Sequence, residues 1–188
     1  MTVAQQACDA ASIIKAMGAD KAIVFGSSGG GIIGLELAAA KPEIIEFLLV
    51  HEFPVTELLP DLDAEKWRTF HDNIYTKYQH KSWQEALADF MAALVGLPNE
   101  PSELYERVKG NMDFFFKYEY RIFVRYVPAV ERIKNNNILI VTAVGKDSND
   151  AYYVQSTRAL AKLGCEIIEF PGHHGASLYM PEEFAKAI

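Results

Sequence analysis

The sequence predicts an α/β protein in which helices cover a parallel sheet. Two observations favour this class. Four short runs are almost wholly apolar, which is typical of strands buried on both faces, and helical segments separate them along the chain. Half of the 188 residues are apolar, so the chain can form one globular unit with its own core.

The first two predicted strands are each preceded by a helix. Apolar residues recur at helical spacing over residues 3–17, and Gly18 follows where a left-handed C-cap is expected. The run AIVF at 22–25 predicts a central strand, and a Gly-rich turn leads from it into a helix that Pro42 ends. The run FLLV at 47–50 predicts the second strand.

The other two strands are predicted in the last third of the chain. They are the runs ILIVTA at 138–143 and CEIIEF at 165–170, and a helical stretch over 151–163 lies between them. Strands that alternate with helices imply a parallel sheet covered on both faces, because each crossover helix must pack on the sheet.

More than eighty residues, 54–137, separate the second and third strands and predict a helical insert. They include a breaker-rich loop at 97–103 and a dense aromatic series within 104–126. We expect most of these aromatic side chains to form core rather than a ligand cage. The expected division is therefore a core of residues 1–53 and 138–188 with a helical cap insert at 54–137.

Charge, cysteine content and the N-terminal residues limit the partners and the compartment that we expect. A net charge of −7 and a pI near 5.2, with no cluster of Lys and Arg, argue against nucleic acid. Cys8 and Cys165 are too few for a disulfide scaffold, which suits a reducing compartment. The N-terminal residues lack signal-peptide features, and no stretch approaches the roughly 20 apolar residues of a membrane span. We expect a cytoplasmic protein with no membrane or nucleic-acid partner.

The stretch AIVFGSSGGGIIGLE at 22–36 fits two different motifs. In one frame, Gly26-x-Ser28-x-Gly30 is the pattern of a serine nucleophile on a strand-to-helix turn. In the other frame, a G-x-G-x-x-G pattern that begins at Gly29 is the fingerprint of a dinucleotide-binding loop. The two frames predict different proteins.

The dinucleotide frame is the weaker of the two. Its first glycine should follow the strand directly, but here the pattern begins three residues late. Glu52 lies 52 − 31 = 21 residues past Gly31, where an acid that binds the ribose is expected, so a Rossmann domain stays as a weaker alternative.

The serine frame fits the local geometry better. Gly26 closes the strand at once, and Ser28 then falls at the sharp bend before a helix. The N–H of Gly29 and the helix N-terminus would face negative charge that develops next to Ser28. Taken alone, the same residues also fit a Gly/Ser-rich turn without chemistry.

A serine nucleophile needs a base and an orienting acid, and the later strand ends supply candidates for both. The loop after the third strand offers Asp147 and Asp150, and the loop after the fourth offers His173 and His174. Asp150 also fits the N-cap of the following helix.

With a serine, an acid and a histidine in this order along the sequence, the chain resembles the C-terminal two-thirds of an α/β-hydrolase-fold protein of the serine hydrolase branch. The matching pieces cover nearly the whole chain: GSSGG at 26–30, PEIIEFLLVHEFP at 42–54, the helical insert, Gly145-Lys146-Asp147, and FPGHHG at 170–175.

The resemblance implies roles for individual residues. Ser28 matches the nucleophile, Asp147 the acid, His174 the base with His173 as runner-up, and the Gly29 N–H one oxyanion donor. The implied reaction is hydrolysis of a small ester, lactone or related carbonyl substrate through an acyl-enzyme, without a cofactor. A catalytically silent fragment or a binding protein of the same fold is the alternative.

The chain also departs from the family pattern. Only about twenty residues precede Ala22, whereas the family has several strands there and a loop that supplies the second oxyanion donor. We expect either a truncated chain or a sheet completed by another copy, hence a homo-oligomer. His51, His71 and His80 are expected to be structural, and no metal site is expected.

Overall fold

The computed structural model describes residues 1–96, 106, 109–162 and 164–188. The four predicted strands are confirmed and form one parallel sheet in the order β1-β2-β3-β4. The strands are β1 Ala22–Ser27, β2 Ile45–His51, β3 Leu139–Gly145 and β4 Glu166–Phe170.

Helices fill the connections between these strands. Gly18 has a φ of +76°, as the predicted left-handed C-cap of the first helix requires. Short 3₁₀ turns cover Pro42–Ile44, Thr56–Leu58 and Lys109–Asn111. The described helices are α1 Val3–Ala16, α2 Gly29–Ala40, α3 Asp61–His80, α4 Trp83–Ala92, α5 Met112–Phe114, α6 Arg121–Val124, α7 Val130–Asn135, α8 Tyr152–Ala161, α9 Ala176–Tyr179 and α10 Pro181–Ala185.

Alternate residues of the strands pack into two different clusters, because successive side chains of a strand point to opposite faces. On one face, Leu48 and Val50 pack with Ile32 of α2 and Leu160 of α8. On the other face, Leu49 packs with a cluster that contains Phe184 of α10. The sheet therefore lies between two helical layers, and strand β2 packs its apolar side chains against both, as predicted.

The helical insert, residues 54–137, packs its aromatic residues partly as expected. Phe116 and Tyr120 are buried, whereas Phe114 and Tyr118 are 46% and 43% exposed. The chain from Phe115 to Tyr120 forms a π-helix, a form that sequence periodicity did not predict. No strand lies between β2 and β3 in the described residues, and the predicted loop at 97–103 lies outside them.

Strand β1 forms one edge of the sheet. Two of its apolar side chains, Ile23 and Phe25, are 64% and 37% exposed, so β1 is less buried than its sequence predicts for a central strand. Among the described residues, none of the helices combines the length and apolarity needed to span a membrane.

Candidate active site

Ser28 lies between the end of β1 and the start of α2 in a backbone conformation that a serine rarely adopts. Its φ is +54° and its ψ is −124°. Conformations of this kind cost roughly 1–3 kcal/mol and persist only where the surrounding structure enforces them. Here the Ser28 N–H donates to the carbonyl of His51 at 2.9 Å, and the Ser28 carbonyl accepts the N–H of Gly31 at 3.0 Å. The turn is thus held from both the strand and the helix.

The glycines around Ser28 have separate roles. A Cβ on Gly26 would lie 2.5 Å from the carbonyl oxygen of Gly30, so only glycine lets the helix start this close to the strand. A Cβ on Gly30 would meet nothing within 4 Å, so of the two glycines that flank Ser28 in the motif only Gly26 is required by close packing. Gly31 and Gly34 belong to the dinucleotide frame, but they let α2 pack against Phe53 and Leu48.

Glu52 and His174 form a hydrogen-bonded pair at the same edge of the sheet. His174 Nδ1 is 2.9 Å from Glu52 Oε2, and the two side chains are 9% and 0% exposed. Glu52 directly follows β2, and His174 lies in the loop after β4. Because all strands are parallel, their carboxyl ends bring these side chains and Ser28 to one edge.

The backbone of Glu52 explains how its side chain reaches that position. Its φ is +46°, so the chain turns immediately after the strand and directs the carboxylate inward. Gly145, at the end of the neighbouring β3, donates its N–H to Glu52 Oε1 at 2.7 Å. A Cβ on Gly145 would lie 3.1 Å from that same oxygen and 2.6 Å from the carbonyl oxygen of Gly172. The carboxylate therefore fits only against a glycine.

The surroundings of Glu52 keep the carboxylate ionised despite its burial. Burial alone would raise the pKa of Glu52, but the hydrogen bond from His174, the nearby Ser148 hydroxyl and the Gly145 N–H together lower it below its ordinary value. An ionised carboxylate that accepts the Nδ1–H of His174 leaves Nε2 unprotonated and able to accept a proton.

The structure does not bring Asp147, the acid that the resemblance implied, into contact with His174; the carboxylate that contacts His174 is Glu52. Asp147 is exposed, and its contact with the histidine loop is a backbone bond from its N–H to the Gly172 carbonyl at 2.9 Å. The expected N-cap at Asp150 is also wrong, since Ala151 is the N-cap residue of α8 and makes no side-chain cap bond.

The two adjacent histidines are distinguished by their partners. His173 Nδ1 accepts the N–H of Gly175 at 3.1 Å within its own loop. Its ring also lies against Gly96 of the insert, where a Cβ would stand 2.3 Å from the imidazole. Of the two, His174 is the one that reaches the buried carboxylate.

The sequence predicts Glu52 only as a ribose ligand and does not predict its contact with His174. The relation that places Ser28 and Glu52 together is the strand register: Ser27 and His51 are partners, so the residues that follow them lie at the same level. Because the Glu52 carboxylate is fully buried and bonded to His174, it does not lie open to a ribose. This arrangement does not support the dinucleotide interpretation.

The insert contacts the site in two places. The ring of Phe123 lies beside Gly29, so close that a Cβ there would be 3.2 Å from it. Val95 of the insert donates its N–H to the hydroxyl of Tyr153 in α8 at 2.9 Å, and the Tyr153 ring lies 4.5 Å from that of His174. The insert thus borders the Ser28 turn directly and is linked to His174 through Tyr153. The Ser28 hydroxyl itself makes no hydrogen bond to the residues that the structure describes.

Comparisons with known proteins bear on the fold and on the class of relative. No protein-family model matches the chain. An uncharacterized hydrolase, YraK of Bacillus subtilis (strain 168), is 28% identical over 172 residues, which are 89% of this chain and 62% of that protein. The chain therefore spans less than two thirds of the length of this curated relative.

Solved structures resemble the whole chain. An α/β hydrolase, MGS-M2 from a Medee basin deep-sea metagenome library, superimposes with a TM-score of 0.71 at 14% identity, over 100% of this chain and 70% of that one. Est816, described as an N-acyl homoserine lactone degrading enzyme, superimposes with a TM-score of 0.68 at 15% identity, over 100% and 73%. The chain has the α/β-hydrolase fold.

Proposed function

We propose that this chain carries the nucleophile, acid and base of a serine hydrolase that cleaves a small ester or lactone. The observation that carries the proposal is the buried Glu52–His174 pair at the same sheet edge as the strained Ser28 turn. The hydrolase relative and the lactone-degrading neighbour of the same fold support the class of reaction.

The first half of the reaction forms an acyl-enzyme. Ser28 Oγ attacks the carbonyl carbon while His174 Nε2 takes its proton, and Glu52 stabilises the imidazolium that results. The oxyanion of the tetrahedral intermediate accepts a hydrogen bond from the Gly29 N–H, because the first N–H groups of a helix have no intrahelical partner. The bond from the carbonyl carbon to the leaving oxygen then breaks, and His174 returns the proton to that oxygen.

The second half repeats these steps with water. His174 removes a proton from a water molecule, the hydroxide attacks the acyl carbon, and the bond to Ser28 Oγ breaks as His174 returns the proton to it. A lactone differs from an open ester only in that the leaving alcohol stays attached to the acid product. The residues named here can serve both substrates.

A serine-directed fluorophosphonate tests the proposal without requiring the natural substrate. We expect a covalent adduct that mass spectrometry of peptides locates on Ser28, because such probes react with a serine that an adjacent base activates. Turnover of a short-chain aryl ester and of a simple lactone should accompany the labelling. Ser28→Ala should abolish both signals.

The matched control is Ser12→Ala, which removes an exposed hydroxyl on α1 that bonds only the Cys8 carbonyl. This variant should label and turn over substrate as the unmodified chain does. If the folded chain acquires no adduct, or if labelling persists in Ser28→Ala, the assignment of a serine hydrolase is wrong, and a binding role for the same fold becomes the better interpretation.

A further inference from the structure

A serine–histidine contact lies directly beside the proposed nucleophile. His51 is the last residue of β2 and the register partner of Ser27 in β1. The Nδ1 atom of His51 is 2.9 Å from Ser27 Oγ, and its backbone carbonyl accepts the N–H of Ser28 at 2.9 Å. The Ser28 turn is therefore bonded to His51 through both the side chain and the backbone.

The ring of His51 also contacts the other side of the site. It stacks on His174 with centroids 6.4 Å apart and planes 23° apart, and on Phe170 at 5.6 Å and 27°. Phe184 meets it edge to face at 5.3 Å. In sequence, His51 directly precedes Glu52. One imidazole thus touches the turn of the nucleophile and the ring of the base, and it is covalently joined to the acid.

Packing alone does not account for a histidine in this position. The ring is fully buried, and its Nε2 atom has no hydrogen-bond partner among the described residues. A buried polar atom without a partner is destabilising, and a phenylalanine would fill this aromatic site without it. Burial lowers the pKa of His51 to about 4, so the ring is neutral near pH 7 and adds no charge beside His174. What the imidazole provides and phenylalanine lacks is the bond to Ser27.

We propose that His51 and Ser27 form a positioning pair, which fixes Ser28 relative to the Glu52–His174 pair. The inference rests on the proposed function above. His51 takes no proton from the substrate or the nucleophile. It sets the direction in which Ser28 Oγ points by holding the preceding residue through a side-chain bond.

The test measures the second-order rate constant for fluorophosphonate labelling of Ser28, alongside kcat and KM for an aryl ester. His51→Phe keeps the ring volume but removes the bond, and Ser27→Ala removes the other partner. Each should slow labelling and kcat by about 10- to 100-fold, the scale of a misplacement of about 1 Å, while KM changes by less than about threefold. In His51→Asn the amide nitrogen stands near the position of Nδ1, so this variant should recover much of the rate.

The double variant Ser27→Ala/His51→Phe should be no slower than the slower single variant, since both remove one shared bond. The matched control is His71→Phe, which removes a buried histidine with a 2.7 Å bond to Tyr120 in the insert. It should lower thermal stability yet leave the labelling rate within about threefold.

Several results would overturn the positioning pair. These are unchanged labelling of folded His51→Phe and Ser27→Ala, fully additive losses in the double variant, or an adduct on Ser27 itself. Ser27→Ala deletes one half-buried hydroxyl, so it keeps the test valid if His51→Phe does not fold. Absence of any adduct on Ser28 in the unmodified chain would instead overturn the proposed function, and the positioning pair with it.

Discussion

The carboxyl edge of the sheet and the helical insert each bury one neutral histidine, His51 and His71. Both rings are at most 1% exposed, and burial lowers the pKa of each to about 4. Each bonds one hydroxyl through Nδ1, from Ser27 in one case and Tyr120 in the other. In each, Nε2 is buried without a partner in the part of the chain that the structure describes. By their own chemistry the two histidines are equivalent.

Their neighbours make the difference. His71 is surrounded by other aromatic rings of the fold, including Trp67, Phe70 and Tyr152, in contacts of 5.3 to 6.4 Å. His51 instead lies between the strained Ser28 turn and the base of the Glu52–His174 pair. A perturbed pKa therefore identifies burial in both regions, and only the geometry around the ring separates a site from a packed interior.

Among the tests of this comparison, the largest effect is the expected difference in kcat between substitutions of the two carboxylates at the sheet edge. Glu52→Gln should lower kcat by about 10⁴-fold, the scale for losing the acid that orients a catalytic histidine, because the amide no longer stabilises the imidazolium. Asp147→Asn should change kcat by less than about threefold, since that side chain is exposed and does not contact His174. Steady-state kinetics on an aryl ester, with thermal melting to verify folding, measures both. A larger loss at Asp147 than at Glu52 would restore the role that the resemblance first implied.

The next largest effect concerns the pH dependence of folding stability, to which the buried histidine of each region should contribute. Each buried histidine has a pKa of about 4 in the folded chain against an ordinary value of 6.5, so the unfolded chain binds more protons between these values. Stability is therefore complete above about pH 6.5 and is lost as the pH falls towards 4, by about 3 kcal/mol for each histidine. The lowered pKa of Glu52 adds a further loss at more acidic pH, below its unfolded value.

Urea unfolding at several pH values between 4 and 8 measures this dependence. His71→Phe should halve the slope of stability against pH between about 4.5 and 6 without altering the labelling rate of Ser28, because one of the two titrating groups is gone. A slope that does not respond to either His51→Phe or His71→Phe would show that other groups control the acid sensitivity.

The fold was predictable because its strands carry an unambiguous signal. Runs such as AIVF and FLLV are apolar at every position, and that pattern fits a parallel sheet with helices on both faces. The order of the elements then placed Ser28 and His174 at strand ends of one edge. The π-helix of Phe115–Tyr120 has no comparable signal, since its turns depend on packing within the insert.

The position of the acid was not predictable in the same way. Asp147 lies just after the glycine that ends β3, which fits the family pattern. The contact of Glu52 with His174 depends instead on the positive φ of Glu52 and on the space beside Gly145, which has no side chain. Neither feature is readable from local composition. Ser28 and Glu52 are adjacent in space because they follow neighbouring strands at the same register level. This adjacency can be recognised only when the pairing of the two strands is known.

The smallest expected effect concerns association of the chain with itself, which again separates the two regions. Ile23 and Leu139 lie on one face of the sheet, in register with Phe47 between them, and they are 64% and 61% exposed. Together with the unpaired edge of β1 this row favours a second copy, so we predict a dimer or larger species at low micromolar concentration.

Ile23→Glu should shift light scattering towards the monomer mass, because a charge on this face resists burial. Leu62→Glu, on the insert, should leave the mass unchanged although Leu62 is 88% exposed, since its neighbours Asp61 and Asp63 are acidic. Scattering at the monomer mass for the unmodified chain would show that the exposed row does not drive association.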